Sequence, residues 1–175
     1  MSLYPFQGKM PEVAQDAWIA PGARVIGDVV IGSGSSIWYN VVVRGDVMPI
    51  RIGARTNIQD GSIVHVTSGN AGTIIGDDVL VGHLAIVHGC TLMDRSFVGL
   101  GSIVMDHCVI EPEGMLAAGA LLTPGKRIGA GELWTGRPAR FARMLTDTEI
   151  AGHAKGTAGY AELAGQHRYS IAEQG

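Results

Sequence analysis

The chain has 175 residues, with Lys plus Arg 13 against Asp plus Glu 16 and a formal charge of −3. That length suits one domain, spanning 1–175, whose core can bury about 70% of the unfolded chain's surface. Without a basic tract nothing follows a nucleic-acid backbone, and no apolar run approaches the roughly 18 residues of a membrane span, so nucleic acid and membrane are excluded as partners.

Near the amino terminus no charged region is followed by an apolar one, so no signal peptide is expected. From Ile19 onward a repeat takes over. Aliphatic residues recur every six positions: Ile19, Val25, Ile31, Ile37, Val43, then Ile52, Ile58, Val64, then Ile75, Val81, Val87, then Leu92, Val98, Val104, Ile110, Leu116, Leu122 and Ile128. Four positions after each the residue is mostly small, as at Ala23, Ser35, Thr56, Ser62, Ala85, Thr91, Ser96, Ser102, Cys108 and Ala120. Both positions are predicted to point inward. Glycine often follows the aliphatic residue, as at Gly32, Gly53, Gly76, Gly82 and Gly99, which suits a corner where the backbone bends sharply.

A hexapeptide period is the signature of a parallel β-helix, in which each repeat gives one short strand and one corner and three repeats close a triangular coil. Coils stack at about 4.8 Å, so residues one coil apart lie above one another. The coils are predicted over about 11–133. Beyond them, Thr146-x-x-Glu149 has the form of a capping box, and a helix is expected over about 146–166, weakened by Gly152, Gly156 and Gly159 and therefore dependent on packing. Cys90 and Cys108 form no C-x-x-C pair and no disulfide framework, which fits a reducing cytoplasm.

Three breaks in the period decide which side chains share a face. Val43 to Ile52 carries three extra residues and Val64 to Ile75 five extra, both read as turn loops, while Val87 to Leu92 is one short. With these corrections Arg44, His65 and His88 form one vertical column. Two imidazoles on adjacent strands can converge on a metal at about 2.0–2.1 Å. His83 falls in another column, with Tyr39 and Asp60, beside Trp38 and Gln59. It is therefore hard to bring onto the same metal within one chain, and a neighbouring copy could supply it across a threefold-closed interface. His107, His153 and His167 read as ordinary surface or helix-packing histidines.

Arg44-Gly45-Asp46, the run Asn57-Ile58-Gln59-Asp60-Gly61 leading to His65, and Gly82-His83 followed by His88-Gly89-Cys90 together resemble the γ-class carbonic anhydrase family, over about Phe6 to Tyr169. The resemblance implies a left-handed β-helix with a C-terminal α-helix, assembled as a homotrimer. It implies Zn2+, alternatively Fe2+ or Co2+, on His65, His88 and a neighbouring chain's His83. The expected activity is reversible hydration of carbon dioxide to bicarbonate by a metal-bound hydroxide. Gln59 would orient the attacking group and Asn57 the substrate; Arg44, Asp46 and Asp60 would link subunits and support the ligands; Tyr160 resembles a tyrosine directed toward the site. Some members carry glutamates in extended loops that pass the proton to buffer, whereas Val66–Thr73 here has no ionisable residue, so low turnover is expected. Two alternatives stand beside this reading: an acyl-CoA-dependent acyltransferase, since such enzymes share the repeat and the Gly136-x-Pro138-Ala139 exit, and a metal-binding assembly protein without catalysis.

Overall fold

In the computed structural model, which describes residues 2–173, twenty short strands precede one helix. The strands stack in parallel as coils of a β-helix with three faces. On the first face, Val42, Ile63, Ile86, Ile103 and Leu121 pair in succession and point outward. On the second, the ladder is Arg51, Ile74, Thr91, Val109 and Arg127. On the third it is Trp18, Ser36, Asn57, Leu80, Phe97, Met115 and Leu133.

Between these outward residues lie the six-residue aliphatics. Seventeen of the eighteen are buried, the exception being Ile19 on the first coil of its face, which has no coil beneath it. The inward hydroxyls of Ser35, Thr56 and Ser62 tie coil to coil. Ser35 Oγ donates to the Gly53 carbonyl at 2.7 Å and accepts from the Thr56 amide at 2.9 Å, and Thr56 repeats the arrangement with Gly76 and Val79. These groups would otherwise be buried without partners, at a cost of about 1–3 kcal/mol each.

Three expectations change. The glycine after each aliphatic residue does not take a special φ; it permits close approach. A Cβ on Gly53 would stand 2.6 Å from the Gly76 carbonyl carbon, and one on Gly82 would stand 2.8 Å from the Leu100 amide nitrogen. The left-handed corner lies two residues later, and Arg55, Asp78, Leu84 and Arg95 adopt it with φ of 53°, 56°, 58° and 57°. Because the Val87–Leu92 interval is one residue short, Cys90 rather than Thr91 fills the inward position, and Thr91 faces out. The three residues added after Val43 form no turn loop: strand Val42–Ile52 runs through them, with Gly27 opposite Gly45 but Val29 opposite Ile50. The five added after Val64 do form a loop, closed by Thr67 against Ala71.

The last coil is followed by an antiparallel pair, Glu132–Gly136 with Ala139–Met144, that the repeat did not foretell. The helix then spans Asp147–Ala172, six residues beyond the predicted end, and begins at Thr146 with both halves of the capping box formed. It packs through Ile150, His153, Thr157, Tyr160, Ala164 and His167, spaced alternately three and four apart, and only Thr157 and Ala164 among them are fully buried. His153 lies 4.6 Å from the Phe97 ring, Tyr160 5.4 Å from Trp38, and His167 Nδ1 2.8 Å from the Tyr39 hydroxyl. Both helix histidines are thus packing residues. Among the described residues no helix is long and apolar enough to cross a membrane.

Candidate metal centre

His65 and His88 are direct partners in the register of adjacent strands Ile63–His65 and Ile86–His88. Val43 opposite Val64 places Arg44 next in the same column. The two rings are inclined at 64° in a T-shaped contact, with His65 Nδ1 3.1 Å from His88 Nε2. Their outer nitrogens are both engaged: His65 Nε2 lies 3.0 Å from Asp46 Oδ1, and His88 Nδ1 2.6 Å from Asp106 Oδ1. A carboxylate only accepts, so each outer nitrogen carries the hydrogen. With both rings neutral, the two inner nitrogens then face one another as bare lone pairs.

That arrangement calls for a cation between them. A tetrahedral ion with bonds of about 2.0–2.1 Å separates its ligand nitrogens by about 3.3 Å, close to the distance observed. The donor set, two imidazoles each braced by a carboxylate, is also what metal-ligating histidines ordinarily show. The residues therefore fit a divalent metal.

Asp46 also pairs with the Arg44 guanidinium. Burial works to raise the Asp46 carboxyl's pKa, but the hydrogen bonds from His65 and Arg44 outweigh it and hold the group below the usual carboxylate value. Asp106 behaves alike: burial opposes ionisation, and hydrogen bonds from Thr67 and His88 prevail. Asp106 and Thr67 are residues that sequence reasoning missed. The corrected register sets Met105 above His88, because Val87 pairs with Val104, yet Asp106 on the next corner reaches back to it. The uncorrected interval of 18 residues from His88 to Asp106 was the available signal.

His83 stands apart from this pair. Asn57 pairs with Leu80 and Ile58 with Val81, which sets Asp60 beside His83, and His83 Nδ1 lies 2.8 Å from Asp60 Oδ2. The His83 side chain is 37% exposed. Among the described residues no three His, Cys, Asp or Glu side chains of one chain converge on a metal position. Gln59 and Asn57 are buried, at 3% and 2% exposure. Gln59 Nε2 donates to Asn57 Oδ1 at 3.3 Å, and Asn57 Nδ2 is a buried donor with no partner among the described residues. Tyr160 stands over Trp38 on the same face as Asn57. Of the nine candidate residues, one face thus gathers Arg44, Asp46, His65 and His88, and another gathers Asn57, Gln59, Asp60, His83 and Tyr160. Cys90 and Cys108 are free and buried, and burial pushes both thiols up in pKa, which suits packing rather than ligation.

Residues 10–45 match the family described as bacterial transferase hexapeptide (six repeats). The chain is 51% identical over 164 residues to a protein named gamma carbonic anhydrase 1, mitochondrial, from Arabidopsis thaliana, covering 91% of this chain and 60% of that protein. It thus spans about 60% of the length of that relative. To a protein named carbonic anhydrase from Geobacillus kaustophilus it is 42% identical over 148 residues, 85% of this chain and 81% of that one. Among solved structures, a hexapeptide transferase family protein from Anaplasma phagocytophilum superposes with a TM-score of 0.90 at 51% identity, over 93% of this chain and 96% of that one. With relatives this similar over most of the chain, and with the Arg44-Gly45-Asp46, Asn57–Gly61 and His83–Cys90 segments set on two faces of stacked coils, the chain belongs to the γ-class carbonic anhydrase family of hexapeptide-repeat proteins.

Proposed function

We propose that this protein is a metal-dependent carbonic anhydrase whose sites are shared between the copies of a homotrimer. The observation behind this reading is the approach of His65 Nδ1 and His88 Nε2 to 3.1 Å, together with a third imidazole, His83, braced by Asp60 on a different face. A site of this kind is completed when the His65–His88 face of one copy meets the His83 corner of another. Apolar surface favours the same contact: Ile63 beside His65 is 42% exposed, and Leu84 beside His83 is 70% exposed. Such a head-to-tail interface closes as a ring after three copies when the rotation is threefold.

His65, His88 and the second copy's His83 would hold the ion, with zinc the first choice and ferrous iron or cobalt the alternatives. A divalent ion bound there supplies Lewis acidity, bringing the pKa of a coordinated water to about 7. Asp46, Asp60 and Asp106 fix which ring nitrogen each histidine offers. Arg44 supports Asp46. The unpartnered Asn57 Nδ2, steadied by Gln59, is a donor for an oxygen of carbon dioxide or bicarbonate, and Tyr160 with Trp38 walls that side. The free, buried cysteines suit a reducing compartment, the cytoplasm or the mitochondrion in which the Arabidopsis relative is named.

Stopped-flow hydration of carbon dioxide by zinc-loaded and anaerobic iron-loaded protein tests the reading, with His83→Ala as its control. A rate above buffer that His83→Ala abolishes is expected; no rate at full metal occupancy sinks the enzyme reading and favours the metal-binding assembly protein. Acyl transfer is the second reading, favoured by a 37% identical structure from Bacillus cereus named a putative acetyltransferase and by the Gly136-x-Pro138-Ala139 exit. Absence of acyl-CoA binding by calorimetry removes it.

A further inference from the structure

The loop that follows His65 has no ionisable residue, yet it is tied to the histidine pair at three points. Thr67 Oγ1 donates to Asp106 Oδ2 at 2.5 Å, and Asp106 Oδ1 accepts from His88 Nδ1 at 2.6 Å. Thr73 Oγ1, fully buried, donates to the His65 carbonyl at 2.6 Å and accepts from the Gly89 amide at 3.0 Å. The same hydroxyl thereby joins the strand that carries His65 to the residue after His88. At Gly89, where φ is +55°, a Cβ would stand 2.5 Å from Asp106 Oδ1 and 3.0 Å from the Ala71 Cβ. The absence of a side chain at Gly89 is what lets Asp106 descend one coil to His88.

A free histidine side chain in its neutral form favours the hydrogen on Nε2, which would block the nitrogen that faces His65. A carboxylate on Nδ1 reverses that preference by accepting the Nδ1 hydrogen, and leaves Nε2 bare for a metal. Asp106 can hold one rotamer while it does so because its second oxygen is taken by Thr67. Asp46 performs the corresponding task on His65 from the coil below, so the two rings are clamped from opposite ends of the stack.

We propose that Asp106, held in place by Thr67, is the positioning residue that makes His88 an Nε2 ligand, and that the loop after His65 serves to hold this carboxylate. This rests on the metal-site reading above. It assigns the five-residue insertion a role in building the site, with no part in proton transfer.

The test is zinc affinity of the full-length protein, measured by competition with a chromophoric chelator, alongside nitrogen NMR of the histidine rings in metal-free protein. Asp106→Ala should weaken zinc binding by about 10–100-fold and move the His88 ring from the Nδ1–H to the Nε2–H form. Thr67→Val should shift both readouts the same way by less. Asp106→Asn, which keeps an acceptor oxygen, should recover part of the affinity. An Asp106→Ala protein with zinc affinity within about twofold of wild type, or with weakened affinity but an unchanged His88 tautomer, overturns the proposal. Should Asp106→Ala fail to fold, Thr67→Val decides alone: unchanged affinity and tautomer overturn it. Wild-type protein that binds zinc without hydrating carbon dioxide would sink the enzyme reading and leave these two readouts standing.

Discussion

Subunit complementation distinguishes a shared site from one assembled within a chain. His65 and His88 are register partners on one face, while His83 sits with Asp60 on another, so His65→Ala and His83→Ala remove ligands from opposite sides of the proposed interface. Neither variant alone contains an interface with all three imidazoles. In an equal mixture allowed to exchange subunits, an interface regains the full set when its His65–His88 side comes from the His83→Ala chain and its His83 side from the His65→Ala chain. For random assembly of a closed ring that is about one quarter of the interfaces. Zinc retained after dialysis, measured by atomic absorption, should therefore be near zero for each variant and about one quarter of wild type for the mixture. A mixture of His65→Ala with His88→Ala should recover none, because those two ligands must come from the same chain. Recovery in that control, or none in the first mixture after exchange has been verified, would refute the partition.

Two further predictions concern the scaffold. Gly53→Ala sets a Cβ 2.6 Å from the Gly76 carbonyl, so the coils must part locally at a cost of about 1–3 kcal/mol, a melting-temperature fall of about 4–8 °C for a mid-range cost of about 2 kcal/mol. Gly156→Ala, with nothing within 4 Å of its Cβ, should instead stabilise by up to about 1 kcal/mol; the same sign for both in thermal unfolding would undo the close-approach account. Burial against Phe97 lowers the pKa of His153 from 6.5, with Glu149 opposing. The unfolded chain then binds the extra proton first, so stability is full above about 6.5 and declines as pH falls through that value toward the folded pKa. Denaturant titrations across that range should show the decline in wild type and less of it in His153→Gln; equal slopes would contradict it.

The sequence carried the coil register because a parallel stack repeats one physical environment every six residues. The three departures from that period could be counted, and counting them was enough to pair His65 with His88 and Asp60 with His83. What periodicity does not encode is the corner. The left-handed positions are filled by glycine in some corners, as at Gly34 and Gly101, and by Arg55, Asp78 and Arg95 in others, where outward side chains of adjacent coils pair, as Arg55 does with Asp78 at 2.7 Å. Asp106 was missed for the same reason. Its main chain obeys the register while its side chain crosses to the coil below. The strand pair Glu132–Gly136 and Ala139–Met144 escaped notice because an antiparallel return has no counterpart in a repeat of parallel rungs. It continues only the third-face ladder, where Leu133 follows Met115, and turns that edge back antiparallel so that no further parallel rung follows there.

The helix runs back along the third face until His167 meets Tyr39, a contact between residues 128 apart in sequence, and closes over Trp18 and Trp38. A chain still emerging from the ribosome can stack its coils one upon another, yet the aromatic floor of its earliest rungs stays bare until the helix that carries Tyr160 and His167 has been made. For that interval the nascent protein presents a cluster of tryptophan and tyrosine that the helix later covers. Chains that stop short of Tyr160 would carry that patch permanently, a mark by which unfinished molecules differ in surface from finished ones.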